Sequence, residues 1–251
     1  MLVSVVLPVR NQAGHIEQVV AAHELALRAV NHELILVVNG SMDESVAACR
    51  RAAVAAIGSS VTVLESGPGW GAAVQAGLRA ARGGILCYAN SARTAPQDLC
   101  LAVSLASGDI TGAALVKATR RYRKSRLRRA GSLLFNLEAR TLFGLATWDV
   151  NGTPKAFART LYERLAVVEC GDLIDLELMV KCRTAGATVV GFDTDRTDRI
   201  GGRSSTTLVS AVRMYVSCVR LWLDLRDGRR AESRLDQAGI RGTSGSGPCE
   251  F

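Results

Sequence analysis

Short apolar runs alternate with helical periodicity through the first half of the chain. Leu2–Leu7 reads as a buried strand ended by Pro8, and Gly14–Val30 as a helix. Glu33–Val38 is a second buried strand, closed by Asn39-Gly40-Ser41. Asp43–Ile57 follows as a helix capped by Ser41 or Asp43. Val61–Glu65 is a third strand, residues 67–71 a loop, Ala72–Ala81 a helix and Ile85–Tyr88 a fourth strand. Pro96 then opens another helix. This rhythm predicts an α/β fold with a mostly parallel, Rossmann-like sheet and helices on both faces. Its right-handed crossovers leave loops at the C-terminal strand edge, at residues 8–14, 39–43, 67–71 and 89–94. Open α/β sheets place their ligands at that edge.

The second half has a different texture. Leu115–Lys117 is a short strand candidate, and residues 120–129 form a dense basic run leading into a helix that ends near Phe143. Asp149–Phe157 reads as a loop turning into a strand, Asp172–Thr184 as a helix and Thr188–Asp193 as a strand. Residues 199–205 are basic and Gly-rich, and Leu208–Leu225 is a long amphipathic helix. The pattern divides the chain into one domain over 1–205, an amphipathic helix within 206–230 and a flexible tail over 231–251.

Hydrophobic residues make up 48% of the chain, enough for a packed core, and the net charge is +8. Most of the cations are arginines, which grip phosphate bidentately. The seven cysteines have no CxxC or His-paired spacing, so reduced thiols are expected rather than a zinc site or disulfide frame. There is no signal-peptide pattern and no membrane-spanning run, which points to a cytoplasmic protein, at most at the inner face of a membrane. Nucleic acid is a poor partner, because the basic run holds Tyr122 but no second aromatic to stack on bases.

The loop after the fourth strand is informative for what it lacks. A metal holding a diphosphate needs hard, charged oxygen ligands, and this chain offers Ala89, Asn90 and Ser91. Ala89 supplies none, and Asn90 or Ser91 supplies one neutral oxygen at most. Cationic side chains do the same electrostatic work on a departing diphosphate. Residues 120–129 and Arg199 and Arg203 are the candidates.

Three stretches, Val3-Ser-Val-Val-Leu-Pro8-Val-Arg-Asn11, Leu36-Val-Val-Asn39-Gly-Ser-Met-Asp43 and Gly69-Trp-Gly-Ala-Ala-Val-Gln-Ala-Gly77, come in an order that resembles family 2 glycosyltransferases of the GT-A fold. Downstream, Ser125-Arg126 to Leu145, Asp149-Val-Asn-Gly-Thr-Pro-Lys155-Ala-Phe157, Asp175-Leu-Glu177 and Arg199-Ile-Gly-Gly-Arg203-Ser204 resemble the polyprenol-phosphate branch of that family, the dolichol-phosphate mannose synthase-like enzymes. The resemblance runs from about Leu2 to Ser205. It implies an inverting transferase that moves a sugar from a UDP- or GDP-linked donor to a polyprenyl phosphate or a small-molecule acceptor. It also implies Mg²⁺ or Mn²⁺ on an Asp-x-Asp, which Ala89 and Ser91 replace here. Gln12 stands for the usual Glu, Val38 and Asn39 for an Asp pair, and Trp70 for a common Lys.

Carried over residue by residue, Pro8, Arg10, Asn11, Asn39, Asp43, Trp70, Asn90 and Ser91 line the donor site. Arg123, Arg126, Lys155, Arg199, Arg203 and Ser204 face the diphosphate or acceptor phosphate. Asp149 and Arg203 are the catalytic candidates, with Asp149 a base or an orienting group, or else only an Asx turn. The resemblance leaves open peripheral membrane contact through the C-terminal helix, a homodimer, and a catalytically silent relative acting as a binding or regulatory protein.

Overall fold

Among the described residues, seven strands form one sheet in the order β3-β2-β1-β4-β6-β5-β7. They are β1 (Val3–Val9), β2 (His32–Asn39), β3 (Ser60–Ser66), β4 (Ile85–Tyr88), β5 (Ala114–Arg120), β6 (Lys155–Ala158) and β7 (Thr188–Thr194). The helices are α1 (Ile16–Leu27), α2 (Ser45–Ala55), α3 (Trp70–Ala80), α4 (Pro96–Ser107), α5 (Arg126–Phe143), α6 (Arg159–Leu165) and α7 (Ile174–Thr184). The computed structural model describes residues 1–56, 60–120, 126–194, 214–223 and 226, and side chains throughout these except 126–130.

The expected α/β architecture is present: β1 pairs in parallel with β2 and β4, β2 with β3, and β5 with β7. Only β6 runs against its neighbours, between β4 and β5. One face of the sheet packs on α3, α5, α6 and α7. The other packs on α1, α2 and α4. Every residue of β1 is buried, which explains why it reads as an unbroken apolar run rather than an alternating one.

Several boundaries move. Strand β1 continues through Pro8 to Val9, because the Pro8 carbonyl points past the end of β4 and accepts the Ser91 hydroxyl at 2.6 Å. A proline nitrogen on that side forfeits no ladder bond. Helix α3 begins at Trp70, which places the indole in a helical first turn rather than in the loop. Strand β5 extends to Arg120, so the first arginine of the basic run ends a strand. Helix α6 has seven residues, too few to show a periodicity in sequence. Cys170 is disulfide-bonded, against the expectation of an all-reduced set, while Cys49, Cys87, Cys100, Cys182 and Cys218 are free thiols.

Helix α3 lies unusually close to the sheet. A Cβ built on Gly77 would stand 2.2 Å from Val6 Cγ1, and both positions are buried. Gly77→Ala therefore lowers stability by about 1–3 kcal/mol, against the gain a Gly→Ala change gives in an open helix. Urea unfolding at constant m checks this, and a variant as stable as the parent would refute the close approach.

Candidate donor and acceptor site

The first, second and fourth strand-end loops are stitched together by their own side chains. Asn11, at φ 51°, donates its N–H to Ser41 Oγ at 3.0 Å and accepts the Met42 N–H at 2.9 Å. Asp43 accepts the Ala13 N–H at 3.1 Å, the Ser45 N–H at 3.1 Å and the Ser45 hydroxyl. Burial pushes the Asp43 carboxyl up, but the hydrogen bonds from Ser45 and Ala13 outweigh it and hold the group below the usual carboxylate range. Gln12 donates to Ser91 Oγ at 2.8 Å, and its own Oε1 is buried without a partner among the described residues. Asn39 donates to the Gly69 carbonyl at 2.9 Å and likewise keeps a buried, unpartnered Oδ1. Arg10 is exposed at the end of β1.

The turn after β4 has no room for a charged ligand set as it stands. Ala89 lies in the apolar core on the α4 side. Asn90 closes the turn, its Oδ1 accepting the Ala92 N–H at 3.1 Å and its carbonyl the N–H groups of Arg93 and Thr94. The Ser91 hydroxyl is buried between Pro8 and Gln12. No group of three or more His, Cys, Asp or Glu that could hold a metal exists among the described residues. The donor set around this turn does not fit a divalent cation.

A second cluster crosses the sheet beside this turn. Tyr88, Lys155 and Lys117 occupy one register level on β4, β6 and β5. All three are buried, and Asp175 of α7 reaches into the group. Asp175 Oδ1 accepts the Tyr88 hydroxyl at 2.7 Å and pairs with the Lys155 ammonium, while its Oδ2 accepts the Trp70 indole N–H at 3.1 Å. Trp70 thus turns inward and packs edge-on to Tyr88 at 6.3 Å between centroids. Lys117 donates to the Trp148 carbonyl at 2.9 Å and to Thr119 Oγ1 at 3.2 Å. Burial, with Lys155 next, lowers the Lys117 amine to about 8.

Asp149 sits one step outward, at φ 51°. Both of its oxygens face Arg120: Oδ2 accepts from Nε at 2.8 Å and from the backbone N–H at 3.0 Å, and Oδ1 accepts from Nη2 at 2.6 Å. Burial works against the Arg120 cation, but the Asp149 carboxylate more than offsets it and holds the group more firmly charged. The Gly152 N–H donates to the Asp149 carbonyl at 2.7 Å, a backbone turn that does not use the carboxylate. The guanidinium keeps 19% of its side-chain surface exposed and is the accessible end of the cluster.

Lys155 and Asp149 thus lie in one electrostatic cluster without touching, while Asn11, Asp43, Asn90 and Ser91 are engaged in loop structure. Arg123, the Arg126 side chain, Arg199, Arg203 and Ser204 lie outside the described residues. Lys117 and Tyr88 were not among the expected site residues; Arg120 was expected only as part of the basic run and Asp175 only as part of the motif Asp175-Leu-Glu177. The one sequence signal for them is a lysine inside each of two apolar strand runs. Glu177, two residues beyond Asp175, points elsewhere and accepts the N–H groups of Val168 and Glu169 at 3.0 and 2.7 Å.

Residues 4–166 match the family described as Glycosyl transferase family 2. The chain belongs to that family. It is 30% identical over 217 residues to an uncharacterized glycosyltransferase of Mycobacterium tuberculosis (strain ATCC 25618 / H37Rv), covering 82% of this chain and 89% of that protein. It is 27% identical over 167 residues to the undecaprenyl-phosphate 4-deoxy-4-formamido-L-arabinose transferase of Pseudomonas savastanoi pv. phaseolicola, covering 65% of this chain and 49% of that protein. In fold it is similar to glucosyl-3-phosphoglycerate synthase from Mycobacterium tuberculosis. The complex of that protein with Mn²⁺, UDP and glucosyl-3-phosphoglycerate superposes with a TM-score of 0.62 at 23% identity, over 96% of this chain and 81% of that one. Its complex with Mg²⁺ and UDP gives 0.63 at 21% identity, over the same shares. The family 2 transferase described here has the GT-A fold, and no helix among its described residues is long and apolar enough to cross a membrane.

Proposed function

We propose that this family 2 glycosyltransferase transfers a sugar, with inversion, from a nucleotide-diphospho-sugar to the phosphate of a polyprenyl-phosphate or small phosphorylated acceptor, without a protein-held metal. One observation carries the reading. Among the described residues, three cations, Lys117, Lys155 and Arg120, stand with two carboxylates, Asp149 and Asp175, at the sheet edge beside a turn whose acids are missing. The surplus positive charge in a water-poor region favours a polyanion there, the work a divalent cation does elsewhere. Lys117 and Lys155 are fully buried and act through their field, whereas Arg120 is within reach of ligand.

In the reaction an acceptor phosphate oxygen attacks the anomeric carbon. The bond from that carbon to the donor's diphosphate oxygen breaks, and the nucleoside diphosphate leaves with the electron pair. A phosphate acceptor is already an anion, so no base is required, and Asp149 serves by fixing Arg120. Arg199 and Arg203, set among glycines that allow close backbone approach, take the leaving diphosphate. The unpartnered Gln12 Oε1 and Asn39 Oδ1 accept from donor groups of the base or ribose. The relative that acts on undecaprenyl phosphate supports a lipid acceptor, and peripheral contact with a membrane follows from one.

Calorimetric titration with UDP, GDP and their sugar conjugates, once with Mn²⁺ and once with EDTA, tests the reading. Binding of similar strength in both arms is the expected result. Binding only with Mn²⁺ would place metal ligands in the chain and defeat the metal-free reading, and no binding in either arm would favour a silent relative.

A further inference from the structure

Helices on a protein surface turn polar residues outward, and α5 does the reverse. Phe135, Ala139 and Phe143 of this helix pack into the core, yet Leu133, Leu134 and Leu137 stand 50%, 57% and 56% exposed. Residues 214–223, also helical, repeat the pattern. Tyr215 and Cys218 pack inward, while Val216, Val219 and Leu223 remain 48%, 43% and 45% exposed. The two helices touch: Phe135 and Tyr215 meet edge to face at 6.5 Å, and the Tyr215 hydroxyl donates to the Gly131 carbonyl at 2.9 Å. Just past the end of α5, Trp148 is 48% exposed beneath the Arg140 guanidinium.

Charge decides what this surface meets. Residues 121–129, which run into the first turn of α5, hold Arg121, Arg123, Lys124, Arg126, Arg128 and Arg129 and no acid. Outward leucines on α5, an exposed Trp just beyond its end and a cationic run in the sequence leading into it are the composition of a surface that lies on anionic lipid. A twofold contact between copies would bring two such runs together, at a repulsive cost.

We infer that α5 and the 214–223 helix form a docking face for an anionic lipid surface. The inference deepens the proposed function, on whose lipid-linked acceptor its purpose rests. It extends the membrane contact expected of the C-terminal helix to a second helix and to named leucines.

Flotation of the full chain with neutral and with anionic phospholipid vesicles tests it, using Leu133→Glu/Leu137→Glu as the variant. The expected result is flotation with anionic vesicles only, weakened by salt, and about tenfold or more weaker for the variant. UDP titration of the variant should be unchanged. No flotation of the parent, or equal flotation of both, overturns the inference. So does light scattering that shows a parental dimer dissociated by the variant without vesicle binding, which would make the face a contact between copies. Vesicle binding without any nucleotide binding would sink the transferase reading and leave the docking face standing. Should circular dichroism show the leucine variant unfolded, Arg128→Gln/Arg129→Gln decides: weaker, less salt-sensitive flotation supports the face, and unchanged flotation overturns it.

Discussion

Replacing Asp175 with Ala should lower the stability of the fold by about 3–5 kcal/mol, the cost of stranding a buried charge. The carboxylate is the common acceptor for Lys155, Tyr88 and Trp70, which come from β6, β4 and α3. Removing it leaves two buried donors, Tyr88 and Lys155, and the half-buried Trp70 indole without their partner. Lys155 is fully buried, so its ammonium has no water to turn to and must instead lose its proton or unfold its surroundings. A hydrophobic cavity of the same size would cost less, because it leaves no charge behind. The companion variant separates the two effects. Lys155→Met/Asp175→Leu removes both charges and should recover most of the loss, since apolar replacement of a buried pair is close to neutral. Urea unfolding at neutral pH reads both. A single-variant loss below about 1 kcal/mol would mean that water reaches the pair and that the cluster is not dry. A double variant as unstable as the single one would put the cost in packing. Either result would remove the low-dielectric setting on which the surplus charge of the proposed phosphate site depends.

The parts of this molecule that were legible from the chain are those whose burial is two-sided. Strands β1 and β2 are buried along nearly their whole length, so their apolar runs are unbroken and their ends fall within a residue or two of expectation. Strand β3, at the sheet edge, is nowhere fully buried and was still found, because half-buried Val61 and Val63 alternate with exposed Ser60 and Thr62. The missing acids at positions 89–91 were equally plain. What the chain could not disclose is pairing across elements far apart in sequence. Lys117 and Lys155 become neighbours only because β6 inserts antiparallel between β4 and β5. Asp175 meets Lys155 only because α7 folds back over that level of the sheet. Trp70 was expected to line the donor site. Its N–H instead reaches a carboxylate more than a hundred residues away, and no local pattern encodes that contact. Asn90 and Ser91 show the same limit in reverse. Their side chains are of the right type to touch a ligand, but the turn uses them first.

The same burial that makes Asp175 necessary makes the pH profile of Lys117 readable. Its amine titrates at about 8 in the folded protein and at the ordinary 10.5 in the unfolded chain. Between those values the unfolded chain holds a proton that the folded protein has released, so stability rises with pH across that window. The full rise from this one group is about 3 kcal/mol, at about 1.4 kcal/mol per pH unit. Two sets of groups oppose it. Burial pushes the thiols of Cys49, Cys182 and Cys218 up to about 12 and that of Cys87 higher still, so from about pH 9 the unfolded chain sheds thiol protons that the folded protein keeps. Tyr88, raised by burial and by Asp175, adds to this above about pH 10. The raised thiols, Cys100 included, outnumber the two amines lowered by burial, Lys117 and Lys155, so the stability of the parent should peak between about pH 8 and about pH 9. Lys117→Met isolates the amine, because the thiols and Tyr88 titrate in both proteins and cancel in the difference. At pH 7 the variant should be near the parent: it loses the buried charge but strands the Trp148 carbonyl that Lys117 now serves. By about pH 10.5 the parent should have gained about 3 kcal/mol on the variant. Parallel profiles in urea unfolding would show that Lys117 keeps its ordinary proton affinity. The positive field assigned to it would then be screened by water, and the charge left to neutralise a diphosphate would rest on Arg120 and the two downstream arginines alone.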